Sequence, residues 1–158
     1  MTDYTRKVQA ACSAADAFVA LTDHIDHWWS RDFDGRADAV GQEFTVRFGR
    51  TFKTFRVVEL ETDSKVVWLC VASHLDLDGL KTKSEWDATR VEWTLQHTGG
   101  VTMIEVSHFG LTPALGCHGA CEQGWDHFLE HSLVPFLETG TGHPSEGVVA
   151  PGALESAT

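Results

Sequence analysis

Apolar and polar positions change period three times along the chain, from strand to helix, back to strand, and to helix again. Tyr4 to Ala10 alternates weakly and reads as a first strand. Ser13 then stands before AADAFVAL with Asp16 three residues on, a capping hydroxyl and an acidic first turn that predict a short helix from Ala14 to Leu21. In DHIDHWWSRDF, Trp28 and Trp29 sit side by side at the end of a second short helix, where two large rings need a pocket or must help form one. From Glu43 the period becomes two: Phe44, Val46 and Phe48 share one strand face, and Glu43, Thr45 and Arg47 the other. Phe55 to Glu61 and Val66 to Ser73 are the next strands, joined by a turn at Thr62, Asp63, Ser64 and Lys65. The second of these is apolar on both faces, as a central strand is. The stretch HLDLDGLKTKSEWDA carries no period and one large anchor, Trp86.

Thr89 to His97 and Val101 to Phe109 alternate again on either side of Thr98, Gly99 and Gly100, a hairpin signal. Thr102, Ile104, Val106 and His108 fall on one face of the second strand. The last period is helical. In GCHGACEQGWDHFLEHSLVPFLETGTG, residues 116–142, an apolar stripe is formed by Cys121, Trp125, Phe128, Leu129, Ser132, Leu133 and Phe136. Gln123, His127, Glu130, His131 and Glu138 make the opposite face. A helix of about twenty residues spans about 30 Å and needs a sheet or several helices beneath it. Pro135 predicts a bend, and Gly140, Gly142 and Pro144 a stop. Strand, two short helices, an antiparallel meander and a long last helix make an α+β architecture, a curved sheet gripping one helix. Residues 1–143 read as a single domain, and residues 144–158, small and without period, as a flexible tail.

This order resembles the START-like, or helix-grip, superfamily, often called SRPBCC. More narrowly it resembles the bacterial branch related to the activator of heat-shock-protein-90 ATPase. The resemblance rests on SAADAFVALTDHIDHWWS, on TRVEWTLQHTGGVTMIEVSHFGL and on GWDHFLEHSLVPFLETGTGHP, and runs from about Thr2 to Pro144. It implies a deep cavity between the terminal helix and the concave sheet face, used in many members for an apolar or amphipathic small molecule. Eukaryotic co-chaperones of the branch carry an additional amino-terminal domain, for which 158 residues leave no room, so a chaperone contact ranks below ligand binding. The stretch from His74 to Trp86 matches no family signature and is expected to border the cavity mouth.

Composition narrows the partners. Twelve Lys and Arg against 23 Asp and Glu leave a net charge of −11, a field that repels phosphate backbones and anionic headgroups. Nucleic acid is excluded as a partner on that ground, and no run is long and apolar enough to insert in a membrane. With no apolar stretch of signal-peptide length at the start, a cytoplasmic location is expected, with the four cysteines as free thiols. No nucleotide-binding, hydrolase-elbow or zinc-protease motif is present, so neither a cofactor nor a catalytic or metal-ligating set is assigned. A monomer or weak homodimer is expected from superfamily relatives.

Six tryptophans and nine phenylalanines suggest an aromatic lining. Trp28, Trp29, Phe44, Phe48, Trp68, Trp86, Trp125 and Phe128 are the ring candidates for ligand contact, together with Cys121, and His108 and Ser132 are polar groups that set the ligand's orientation. Each ring taken singly reads first as core, the set together favouring a cavity mainly through the fold resemblance, and His108 reads first as a hydrogen-bonded core residue. Gly119 and Gly124 inside the helix either leave ligand space beside Trp125 or admit close packing on the sheet. Cys117 and Cys121, four apart, share one side of the helix as a conceivable metal or redox pair, and His127 and His131 belong to a solvated face. The leading reading is therefore a small-molecule binding protein for an apolar, lipid-like or polyketide-like ligand. An enzyme of cyclase, dehydratase or hydrolase type using the same cavity is the alternative, and a co-chaperone-like interaction module the third.

Overall fold

The computed structural model describes residues 3–146. The expected tail from residue 147 on lies outside the described residues. Seven strands form one antiparallel sheet: β1 (Tyr4–Ala10), β2 (Phe33–Gly35), β3 (Glu43–Phe48), β4 (Thr51–Glu61), β5 (Lys65–His74), β6 (Arg90–Thr98) and β7 (Val101–Phe109), in the spatial order β1-β7-β6-β5-β4-β3-β2. β5, the doubly apolar strand, sits in the middle. Two short helices, α1 (Ala14–Thr22) and α2 (Ile25–Trp28), follow β1. The chain ends in the long helix: α3 (His118–Phe128), a π-helical turn (Leu129–Leu133) and α4 (Val134–Thr139). This is the helix-grip architecture.

Local chemistry accounts for the elements. The Ser13 hydroxyl accepts the Asp16 N–H and caps α1. Gly99 and Gly100 both take positive φ, 60° and 82°, the mirror-image turn whose twist matches the strands of a two-residue hairpin. β4 begins four residues earlier than its apolar residues suggest. In Thr51-Phe52-Lys53-Thr54 the aromatic points outward, where Phe52 stacks on His74, and the lysine points in. A register shift lies between Thr54 and Phe55.

Next to Pro135 the helix opens by one residue: the Val134 N–H donates to the Leu129 carbonyl five residues back, and the wider turn accommodates the proline ring. The apolar stripe is as expected, with Cys121, Trp125, Phe128, Leu129, Ser132 and Leu133 all buried. β1 holds the polar side of the helix to the sheet edge, for the Tyr4 hydroxyl donates to Asp126 at 2.6 Å and Arg6 pairs with Asp126 and Glu130.

The π turn also presents Ser132 to the end of α2. Its hydroxyl donates to the Trp28 carbonyl and accepts the His143 N–H at 2.8 Å. Just beyond, residues 144–146, expected to open the tail, run back along the segment after α2: Ser145 bridges to Ser30, and Arg31 pairs with Glu146 at 2.6 Å. Ser132 thus joins three segments at a buried point. Replacing Ser132 with Ala orphans a buried carbonyl and a partly buried N–H, and should lower stability by about 2 kcal/mol in urea unfolding; a loss under about 0.5 kcal/mol would show that the tie is dispensable.

Candidate functional site

The ring candidates do gather between the helix and the sheet, and they touch one another. All six tryptophans are buried. Trp29 lies at the hub, 5.6 Å from Trp28, 6.0 Å from Trp68 and 5.2 Å from Trp125 between ring centres. Phe44 meets Trp68 at 5.0 Å, Phe48 meets Phe128 at 5.7 Å, and Trp86 stacks on Trp125 at 6.0 Å. The space expected to be hollow is occupied by these rings. A cleft of about 530 Å³ opens on the outer sheet face along Lys7, Gln9, Gln96 and Met103.

Trp86 arrives there from the unpatterned stretch between β5 and β6. Its indole N–H points at Cys121 Sγ, 3.2 Å away, and its ring lies 4.4 Å from that of His108. The preceding residue holds the loop down. Both Glu85 carboxylate oxygens accept backbone N–H groups at the start of α3, from Gly116 at 3.1 Å and Cys117 at 2.9 Å. Two residues after Trp86, Ala88 adopts φ +67°, a left-handed conformation that costs a non-glycine residue about 1 kcal/mol or more.

Beneath Trp86 lies a residue that the sequence reading missed. Lys53 of β4 is 1% exposed. Its ammonium stands 4.3 Å from the Trp86 ring centre, 4.6 Å from Phe48 and 6.0 Å from Trp29. Among the described residues, no carboxylate lies within ion-pair distance of it. Burial pushes the Lys53 pKa down to about 8, against the smaller opposing pull of Cys121, Cys70 and Cys117. Because the folded pKa lies below the unfolded one, this destabilisation is fully present below about pH 8 and is relieved as pH rises towards 10.5. Cys121 is drawn below the usual thiol range by the Cys117 thiol beside it, then by Lys53 and the Trp86 N–H; Cys117 is raised, by the same contact and by burial. Cys70 is pushed up to about 12 by burial. Two further donors have no acceptor: the buried indole N–H groups of Trp68 and Trp93. Trp93, also missed, alternates on β6 with Val91 and Leu95 on the inner face.

His108 is the opposite case, fully satisfied. Trp125 donates its N–H to Nδ1 at 3.1 Å, which assigns the proton to Nε2; Nε2 faces the Thr89 hydroxyl at 2.9 Å, and that hydroxyl donates to the Trp86 carbonyl at 2.6 Å. Burial first, and then the Lys53 charge, push its pKa down to about 3. Ser132 is likewise engaged in the tie described above. All four cysteines are free thiols, and among the described residues no cluster of three or more ligating side chains could hold a metal. Gly119 is open: a Cβ there would meet nothing within 4 Å, so neither ligand space nor close packing accounts for it. His127 and His131 lie exposed, as expected.

Residues 11–138 match the family described as Activator of Hsp90 ATPase homolog 1-like protein. The chain belongs to that family. Solved structures share its fold. The Aha1 dimer from Colwellia psychrerythraea superposes with a TM-score of 0.74 at 23% identity, covering 90% of this chain and 100% of that one. DynU16, from the dynemicin biosynthetic locus, gives 0.69 at 19%, covering 90% of this chain and 49% of that one. An HSP90 activator from Plasmodium falciparum gives 0.60 at 18%, covering 83% and 93%. At these identities the likeness is one of fold. No curated protein matches the sequence, and no helix among the described residues is long and apolar enough to cross a membrane.

The His108 network sets a pH dependence. The unfolded chain takes a proton near pH 6.5 and the folded chain only near 3, so stability is lost as pH falls through that window, by about 1.4 kcal/mol per unit from this group. Measured as the difference between wild type and His108→Gln in denaturant unfolding from pH 7 to 4, the wild type should lose stability more steeply. Parallel curves would mean that His108 takes up its proton without opening the core.

Proposed function

We propose that the protein binds an apolar or amphipathic small molecule between the sheet and the terminal helix, admitted when the Trp86 loop lifts. One observation carries this reading. The N–H groups of Trp68 and Trp93 are buried there without an acceptor, and the Lys53 ammonium is buried among aromatic faces, although an interior built for packing alone would be more stable without them. Stacked rings can part and restack around a flat guest, and a loop held largely by polar contacts, from Glu85, Trp86, Asp87 and the Asp76 N–H, offers the way in. Polyketide-type and lipid-type molecules fit that description. The position of DynU16 in a biosynthetic locus and the family's fold support a ligand of this kind.

Binding fits the geometry better than catalysis. His108, the group best suited to carry a proton, has both ring nitrogens taken up within the protein. Weak self-association and a chaperone contact remain proposals drawn from the relatives, one described as a dimer and another as an HSP90 activator. The four free thiols support a reducing compartment.

The test is direct. Thermal shift and native mass spectrometry against aromatic polyketides and medium-chain lipids should give one-to-one complexes that raise the melting temperature, with Trp86 fluorescence changing on binding. Absence of binding both to the wild type and to Trp86→Ala, in which the plug is removed, would overturn the reading.

A further inference from the structure

The interior donors point to the ligand's chemistry. We propose that Lys53 is the docking point for a single oxyanion on an otherwise apolar ligand, so that the protein selects flat or aliphatic monocarboxylic acids over neutral molecules of the same shape. This rests on the interior-binding reading above and goes further by assigning the ligand's head group.

The argument starts from what surrounds Nζ. Three aromatic faces, those of Trp86, Phe48 and Trp29, supply negative quadrupole but no full charge. The titratable groups facing the site are Cys70 from β5, Cys117 and Cys121 from α3 and His108 from β7; none is a carboxylate, and His108 is held neutral. Further along the ring stack, Trp68 and Trp93 hold unpaired N–H groups on rings 5.5 Å apart, and Trp68 stacks on Trp29, the ring shared with Lys53. Every unmet group in this part of the core is a donor. A cationic guest would be repelled, and a neutral hydrocarbon would leave the charge without a counter-ion and both indole N–H groups unmet. A carboxylate supplies both the charge and the acceptor oxygens, and the strength of a charge-assisted hydrogen bond is greatest where water is excluded.

The rest of the molecule limits the guest to one charge. With a net charge of −11, the surface opposes polyanions at a distance. A single anion with a large apolar body feels little of that field beyond the screening length of about 8 Å at physiological salt, and its affinity comes from burial. Nucleotides and polyphosphates are therefore excluded on the same grounds that admit a monoacid. Trp86 presently covers the Lys53 face that the acid would take, so displacement of that one ring both opens the site and frees the cation.

The test uses two matched probes, a naphthalene carboxylic acid and the corresponding naphthalene methanol, titrated by calorimetry into wild type, Lys53→Met and Trp86→Ala. At about pH 7 the acid should bind wild type at least about tenfold more tightly than the alcohol, and Lys53→Met should bring the two within about twofold. In wild type the acid's affinity should fall about tenfold per unit as pH rises above about 8, with the alcohol flat. That pH arm stands even if the Lys53→Met protein does not fold. Equal binding of acid and alcohol, a preference that survives in Lys53→Met, or parallel pH curves would overturn the assignment of Lys53 while leaving interior binding standing. If neither probe, nor any member of the wider ligand panel, binds wild type or Trp86→Ala, the interior-binding reading falls and this inference with it.

Discussion

An ammonium group held among aromatic faces, with no carboxylate paired to it among the described residues, is the constraint around which the interior is arranged. Taking a cation out of water costs several kcal/mol after relaxation, and ring contacts return about 2 kcal/mol or less apiece. The depressed pKa of Lys53 is the signature of that imbalance. Around it the fold is conventional: a meander whose inner face is built by alternation, and a helix whose stripe covers it. The cost is carried by a core of buried rings and aliphatic side chains extending from Tyr4 to Leu133.

Structure and function meet in the loop between β5 and β6. Glu85 ties it to the first turn of α3, Trp86 fills the space over Lys53, and the strained backbone at Ala88 follows. A segment fixed by a few polar contacts at its middle opens at lower free energy than the strands it joins. Trp86 and the terminal helix are coupled twice, through Cys121 and through the His108 relay to Trp125, so lifting the loop loosens the ring stack from one end. The π turn at Leu129–Leu133 keeps the other end in place, because Ser132 there bonds to both the end of α2 and the returning chain.

Much of this was legible in the sequence where one period dominates. The limits of β1 and β7, the glycine hairpin, the apolar stripe of the terminal helix and the central place of β5 all follow from alternation or helical spacing. Lys53 was missed because Thr51 to Thr54 inverts the usual pattern, with Phe52 outside and the charge inside, so the strand seemed to begin at Phe55. The information was present in the pairing: Val46 faces inward, and a tight turn after Phe48 sets Lys53 directly opposite it. Trp93 was overlooked although it alternates with Val91 and Leu95. Trp86 could be named, but its place over the lysine is a long-range contact that no local pattern encodes. The π turn could not be read either, since a proline in a helical pattern predicts a kink as readily as a widened turn.

The most direct measurement is the pKa of the Lys53 side chain in the unliganded protein, followed by NMR titration of its terminal methylene and nitrogen signals. A value near 8, well below that of the other lysines, is what an ammonium enclosed by rings and lacking an anion must give. A value near the ordinary 10.5 would mean that Lys53 is solvated or paired, and would contradict the account of the interior and of the ligand it takes.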